Sequence, residues 1–327
     1  MHMADALLSP VVGGLMWAAS AGAVARSSRK VREDLDGSRV PLMGVLAAFV
    51  FTAQMINFAI PGTGSSGHLG GGLLLAILLG PDAALLATAS VLVIQALFFA
   101  DGGLLALGCN IFNLGFLPAF VAYPLIYRPL VAGDAGPTRR ATAVLLGAVV
   151  GLQLGAFGVV VETVLSGRTA LPFRAFLLAM QPIHLAIGLV EGAVTLALLT
   201  FLRHAKPEFP LAVREAGEGR RLMVTLGLLT LVLGGWVAWY ASKHPDGLEW
   251  AVQRLTGQIE LQHDASGLHG QLAHAQARTA VLPDYQFRGS GAESRAATSF
   301  SGVLGGFMTL ALVAGVGWGL KVRKRKA

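Results

Sequence analysis

The sequence predicts an all-α polytopic membrane protein of about nine transmembrane helices, arranged as seven plus two, with the N-terminus outside. Three observations carry that expectation. Of the 327 residues, 54% are hydrophobic and only 13% charged, against about 25% charged in soluble domains. The apolar residues gather in runs of about 20, the length that crosses a bilayer core. The basic residues, whose surplus gives a net charge of +7, cluster between those runs. This composition excludes a soluble enzyme and a disordered chain. The placing of the positive charge argues for membrane topology and against binding of nucleic acid.

The apolar runs fall near 9–26, 41–60, 69–80, 83–100, 104–127, 141–165, 175–202, 222–241 and 300–320. Arg26, Arg29, Lys30, Arg32 and Arg39 follow the first run. Arg128, Arg139 and Arg140 follow the fifth, and Arg203, Lys206, Arg214, Arg220 and Arg221 follow the seventh. Lys321, Arg323, Lys324, Arg325 and Lys326 close the chain. Basic loops stay cytoplasmic, so one threading of a cytoplasmic (inner) membrane places these inside, with the N-terminus outside and the C-terminus cytoplasmic. The third run is short and ends at Gly80-Pro81-Asp82, a helix stop and restart. Gly147, Gly151 and Gly155 have the small-xxx-small spacing that lets membrane helices approach.

A polar connector containing Pro207 and Pro210 divides the chain near residue 215. Residues 1–215 carry seven runs. Residues 216–327 carry two, separated by a polar segment, 242–299, that is expected to form an extracytoplasmic loop or small subdomain. The single cysteine, Cys109, rules out an intramolecular disulfide and a Cys-rich zinc site. No Lys or Arg precedes Arg26, so the start lacks the basic region of a signal peptide and is expected to remain in the mature protein. The bulky second residue, His2, should also keep Met1 in place.

Two histidines fall on the same expected outer side: His2, and His68 at the end of Gly62-Thr63-Gly64-Ser65-Ser66-Gly67. That glycine-rich stretch fits the first six positions of a phosphate-binding loop, but His68 and Leu69 stand where Lys and Ser/Thr are required, which argues against a nucleotide. A lone loop histidine is more often solvated than a ligand. Here, however, a terminal amine, the amide nitrogen of His2, its imidazole and the imidazole of His68 would make four nitrogens in a plane. Such a set suits Ni²⁺ or Cu²⁺ better than Zn²⁺ or Mg²⁺.

Polar residues inside the spans are functional candidates by default. Gln54 and Asn57, just before the loop, could hydrogen-bond the histidines or stitch helices together. Asn110 and Asn113 could pack or cap helices. His184 and Glu191, seven residues apart on one helical face, could form a proton or metal relay or a buried structural pair. His263, His269 and His274 have spacings that do not place all three on one face, which favours a solvated loop over a capture site. Pro245-Asp246-Gly247-Leu248-Glu249 reads as a turn and a helix start.

Several stretches resemble the membrane substrate-binding component of energy-coupling-factor (ECF) transporters for nickel and cobalt. They are MHMADALLSP at the start, AQMINFAIPGTGSSGHLGGG at 53–72, GCNIFNLG at 108–115, YPLIYRP at 123–129 and MQPIHLAIGLVEGAVT at 180–195. HPDGLEWA at 244–251 resembles the small two-span partner component of nickel systems, so the two are expected to be fused. The resemblance implies that Met1, through its amine, His2 and His68 hold the metal. Beside Gln54 and Asn57, Ser65 and Ser66 are expected to support these ligands; this loop has one residue more between Pro61 and His68 than the family's shorter form, which bears on where the two serines fall. It suggests that the region of Asp246 and Glu249 acts on the metal loop. Ni²⁺, or alternatively Co²⁺, would be the transported substrate, and ATP hydrolysis would come from separate cytoplasmic ATPase subunits coupled through a transmembrane component. An intramembrane enzyme using His68, His184 and Glu191 is the reading from another class, and the paired His-Glu-x-x-His spacing that zinc hydrolases usually show is missing from this sequence.

Overall fold

A computed structural model describes residues 1–34, 39–205, 216–259, 261, 267–289 and 294–326. A short arm with one 3-10 turn at Asp5–Leu7 leads into α1 (Pro10–Asp34) and α2 (Arg39–Gln54). An antiparallel hairpin follows, β1 (Phe58–Ile60) against β2 (Ser65–Gly67), with Phe58 opposite Gly67 and Ile60 opposite Ser65. Next come α3 (Gly72–Leu79), α4 (Pro81–Ile94) with a π-helical turn at Gln95–Phe99, and α5 (Leu107–Ile111). α5 widens into a π-helical stretch, Phe112–Tyr127, before α6 (Arg128–Val131). α7 (Pro137–Ser166) and α8 (Phe173–Ala205) complete the first half. α9 (Ala216–Gly235), α10 (Gly247–Thr256), α11 (Gly267–Thr279) and α12 (Arg295–Lys326) form the second.

Six helical segments among the described residues are long and apolar enough to cross a membrane: Pro81–Phe99, Leu107–Val131, Pro137–Ser166, Phe173–Arg203, Leu222–Tyr240 and Arg295–Val322. Val40–Gln54 is a shorter apolar helix. Each of the nine apolar runs is helical over all or part of its length, which makes this an all-α, multi-pass membrane fold. The third run departs from the expectation of a full span. It contributes only the eight residues of α3, about 12 Å of helix, and reaches further only through the loop that bears His68. Glycine sets both breaks. Gly71, at φ +75°, starts α3, and Gly80, at φ +83°, ends it directly before Pro81 opens α4, the left-handed geometry that glycine tolerates. The wide stretch Phe112–Tyr127 contains Pro118 and Pro124, neither of which has an N–H to donate to the helix.

The two ends of the bundle differ. At one, Asp82 accepts from Arg26 (3.1 Å) and Ser27 (2.9 Å), tying the α3–α4 junction to α1. At the other, the N-terminal arm, the hairpin and the turn after Phe99 meet the segment that follows α9. That segment, expected as an extracytoplasmic loop or small subdomain over 242–299, carries α10 and α11 among its described residues. α10 packs on α8 and β2, and Gln276 of α11 donates to the carbonyls of Ala96 and Gly102 (2.9 and 2.7 Å). His269 is buried against the Leu8 carbonyl (2.9 Å), whereas His274 is exposed. His263 and the boundary near 215 lie outside the described residues. Cys109 is free and buried. Of the spaced glycines on α7, a Cβ on Gly151 would meet Ala122 in ordinary contact, one on Gly147 would lie a tight 3.1 Å from Leu73, and one on Gly155 would lie 2.9 Å from both the Asn113 carbonyl and the Met1 methyl.

Candidate metal site

The N-terminal arm is held by its backbone and by its apolar side chains. The Met3 amide donates to Asn110 Oδ1 (2.8 Å), and the Met3 carbonyl accepts from Gly103 N (2.9 Å) and Asn110 Nδ2 (3.3 Å). Asp5 accepts from Ala106 N (2.9 Å). Met3 and Leu8 are fully buried, and Met1 nearly so. Asn110 therefore clamps the arm rather than capping a helix. Asn113 donates instead to Glu162 (2.8 Å).

The hairpin and the segment after it carry His68 to the same place. Glu191 accepts from the amides of Gly70 (2.6 Å) and Gly71 (3.2 Å), and Gln54 donates to the Gly70 carbonyl (2.8 Å) while accepting from Gln95 (2.8 Å). Gln54 thus supports the backbone of the loop and makes no hydrogen bond to an imidazole. Asn57 lines the cavity beside the site, and its carbonyl accepts from Ser242 N (2.7 Å). Ser66 ties the hairpin to the second half, donating through Oγ to the His244 carbonyl (2.7 Å) and through its amide to Pro245 O (2.8 Å). Ser65 stays local, paired with Thr63 (2.8 Å). Trp250 of α10 donates to the Thr63 carbonyl (2.9 Å).

At the centre, the Met1 amine lies 2.7 Å from His68 Nε2 and 2.8 Å from Asp246 Oδ2. The opposite ring nitrogen of His68, Nδ1, is 3.1 Å from the Leu69 carbonyl, a partner that takes only a proton donor and so leaves Nε2 with its lone pair. His2 stacks on His68 with centroids 5.0 Å apart and rings inclined by 8°. Its Nδ1 lies 3.0 Å from Asp101. Asp101 in turn accepts from the Tyr285 hydroxyl (2.5 Å). Asp246 caps α10 in a reciprocal box with Glu249, which places its carboxylate at the amine.

The electrostatics favour a neutral imidazole beside charged carboxylates. Burial, then the nearby ammonium and His2, lowers His68 to about 3. Burial pushes Asp101 upward, but the charge and hydrogen bond of His2 outweigh it and hold the carboxyl below its usual range. Asp246 is likewise held low, against burial, by the amine and His68. Burial and the charge of Asp246 raise Glu249 to about 7. A cavity of about 500 Å³ opens beside these groups, lined by Asp5, Asp101, Asp246, Glu249 and Asp284 as well as by His2 and His68.

Among the described residues, no three His, Cys, Asp or Glu side chains converge as a metal set. A donor set here must draw on backbone nitrogen, and the Met1 amine with His68 Nε2 has the necessary closeness. Adjacent corners of a square of metal–nitrogen bonds of about 2.0 Å lie about 2.8 Å apart. The structure thus brings together Met1, His2, His68, Asp246 and, through its cap, Glu249. It does not pair His184 with Glu191. Glu191 is engaged by the loop amides, and His184 Nδ1 by the Met180 carbonyl (2.8 Å). Sequence reasoning missed Asp101 and Tyr285. The Asp101-Gly102-Gly103 turn after an apolar run is visible in the sequence, but nothing local links it to His2.

Residues 2–209 match the family described as "cobalt uptake substrate-specific transmembrane region", and residues 220–322 match the PDGLE domain. A putative fused nickel transport protein NikMN of Archaeoglobus fulgidus is 31% identical, covering 95% of this chain and 96% of that protein. The fused nickel transport protein NikMN of Rhodobacter capsulatus is 32% identical, covering 87% and 88%. A crystal structure of a transition metal transporter superposes with a TM-score of 0.57 at 33% identity, covering 64% of this chain and 96% of that one. The chain therefore belongs to the cobalt-uptake substrate-specific transmembrane family, in the fused NikMN form in which a PDGLE domain follows in the same polypeptide: a multi-pass membrane transport component and not an enzyme.

Proposed function

We propose that this chain is the substrate-binding membrane component of an ATP-driven, ECF-type nickel importer. It captures Ni²⁺ at the outer face through the Met1 amine, the amide and imidazole of His2, and the imidazole of His68. The observation that carries this reading is the 2.7 Å approach of the Met1 amine to His68 Nε2 beneath an acid-lined cavity. Carboxylates along that cavity attract a hydrated dication. His68 is neutral on arrival, so binding displaces protons from the amine and the amide and none from this imidazole. Asp246, now paired with the ammonium, is left to balance the charge of the bound ion.

Residues 1–215 act as the metal-binding component and residues 216–327 as the fused partner, whose Asp246 and Tyr285 border the site. The chain lies in the cytoplasmic membrane with its N-terminus outside and its C-terminus inside. Separate cytoplasmic ATPases, coupled through a transmembrane component, drive the step that loosens the chelate, because a ligand shifts a conformation only through unequal affinity for its two states. Cobalt is the second reading, favoured by the family's own description. The PDGLE half, shared with relatives named for nickel, favours nickel.

The test is Ni²⁺ and Co²⁺ binding to the purified full chain, with its native start and with one residue added before Met1. The extension moves the amine and takes His2 out of register, so binding should fall below detection. Undiminished binding would sink the N-terminal chelate.

A further inference from the structure

Among the described residues, three that are not glycine hold a left-handed backbone: Ala100 (φ +55°), Asp284 (φ +51°) and Tyr285 (φ +60°). Residues with a Cβ visit that region at a cost and stay there only where the surroundings fix them, commonly at functional sites. All three flank one contact, the hydrogen bond that the Tyr285 hydroxyl donates to Asp101 Oδ2 (2.5 Å). Both sides of that contact are pinned. The Asp101 amide donates to the Gln95 carbonyl (3.1 Å), and the Leu282 amide to the Phe98 carbonyl (3.1 Å). The Tyr285 ring stacks on Phe99 with centroids 4.8 Å apart, and the Tyr285 carbonyl accepts from Ser301 Oγ (2.9 Å). The fold thus accepts a strained backbone in both halves to fix one carboxylate.

The other oxygen of that carboxylate, Oδ1, lies 3.0 Å from His2 Nδ1. A carboxylate only accepts, so Nδ1 carries the hydrogen. Yet Nδ1 is the nitrogen that a chelate through His2 needs. The amide nitrogen and the imidazole of one residue close a ring with a shared ion only through Nδ1, by way of Cα, Cβ and Cγ, and Nε2 points away from that ring. Nδ1 can therefore serve Asp101 or the ion, but not both. The Met1 amine is engaged in the same manner, by Asp246 (2.8 Å). His68 differs, because its Nδ1 faces the Leu69 carbonyl and no carboxylate.

We propose that Asp101 is a latch on His2. In the empty site it holds Nδ1 out of the chelate, and Tyr285 of the second half sets the carboxylate that does so. Ni²⁺ meets the amine and His68 first. His2 then leaves Asp101 and closes the chelate through Nδ1. In the neutral ring the proton passes from Nδ1 to Nε2, so the imidazole neither gains nor loses one. This inference rests on the reading of Met1, His2 and His68 as the metal ligands.

The experiment follows Ni²⁺ absorption by stopped flow after the ion is mixed with the purified full chain, parental or carrying Asp101→Asn or Tyr285→Phe. The parent should bind in two steps, an encounter whose rate rises with Ni²⁺ concentration and a closing step whose rate does not. Asp101→Asn replaces a charged acceptor by a weaker neutral one and should speed the closing step about tenfold. Tyr285→Phe keeps the charge but lets the carboxylate swing, and should speed that step by a smaller factor. Losing a negative charge can only slow the encounter, so a faster closing step separates a latch from electrostatic steering. Both variants should bind Ni²⁺ with near-parental affinity, which also shows that they fold. Single-step binding by the parent, or a closing step no faster in Asp101→Asn, would overturn the latch. So would weaker binding with an unchanged closing step, which would make Asp101 a support for the bound ligand. Undiminished binding by the chain extended before Met1 would instead overturn the chelate itself, so the two failures are distinguishable.

Discussion

The two halves of this chain are built differently. In the first half, the most apolar window of Pro81–Phe99 is 72% buried within the protein, whereas the windows of Leu222–Tyr240 and Arg295–Val322 in the second are only 22% and 28% buried. The second half's helices leave Leu228, Leu231, Trp236, Phe307 and Trp318 exposed, surface that suits lipid or a membrane partner. Yet the connecting segment of the second half supplies Asp246 to the amine, Tyr285 to Asp101, and the carbonyls that anchor Ser66. The first half provides a packed scaffold and the amine and imidazoles of the candidate site. The second contributes little core and much of the electrostatic surround.

That division of labour can be broken, and the largest effect belongs to the first half. His68→Ala removes a donor outright and should abolish Ni²⁺ binding in calorimetry. Asp246→Ala removes a capping carboxylate worth about 0.5–2 kcal/mol and one charge beside the amine, so α10 amides should exchange faster while Ni²⁺ binding remains measurable. Equal losses in the two variants would make the second half a direct participant in chelation.

Glu191→Ala tests the scaffold. It leaves the buried amides of Gly70 and Gly71 without acceptors, at about 1–3 kcal/mol each, and should lower the thermal midpoint in detergent together with Ni²⁺ affinity. An unchanged midpoint would mean that the loop is held elsewhere.

Acidification probes His68 itself. Its folded value is about 3, below the about 6.5 of an unfolded histidine, so the fold favours the neutral ring. The stability this adds is complete above about pH 6.5 and declines as pH falls toward 3, because the unfolded chain takes up the proton first, by at most about 1.4 kcal/mol per pH unit. Between pH 7 and 5 the parent should lose more stability than His68→Gln. Matching losses would show that His68 is solvated. The smallest effect is expected from Ser66→Ala, which removes one hydroxyl bond between the halves and should cost about 1 kcal/mol. A loss several times larger would mean that the halves depend on this contact more than the site geometry implies.

Much of the first half was legible in advance. The apolar runs locate the membrane helices because a bilayer imposes one length and one polarity on every span, and both are local properties of sequence. The expected meeting of Met1, His2 and His68 is met by the geometry, with the amine 2.7 Å from His68 and the two imidazoles stacked. The roles of the supporting residues were not legible. Gln54 belongs to the loop backbone, and Ser66 to the contact between halves. His184 and Glu191 share a helix but take separate partners, Glu191 the loop amides and His184 the Met180 carbonyl one turn back on the same helix.

By itself, then, the sequence determines a multi-pass helical protein and the nitrogen-rich order of residues at its start, since hydropathy, charge placement and residue order are written along the chain. Only the tertiary structure decides that α3 is half a span, that α10 and α11 pack beside the hairpin and the N-terminal arm, and that Asp101, Asp246 and Tyr285 surround the amine and the two imidazoles. These last contacts join residues separated by 99 to 245 positions. Helical periodicity relates neighbours within a few turns, whereas burial and hydrogen-bond satisfaction across the bundle choose which distant groups meet.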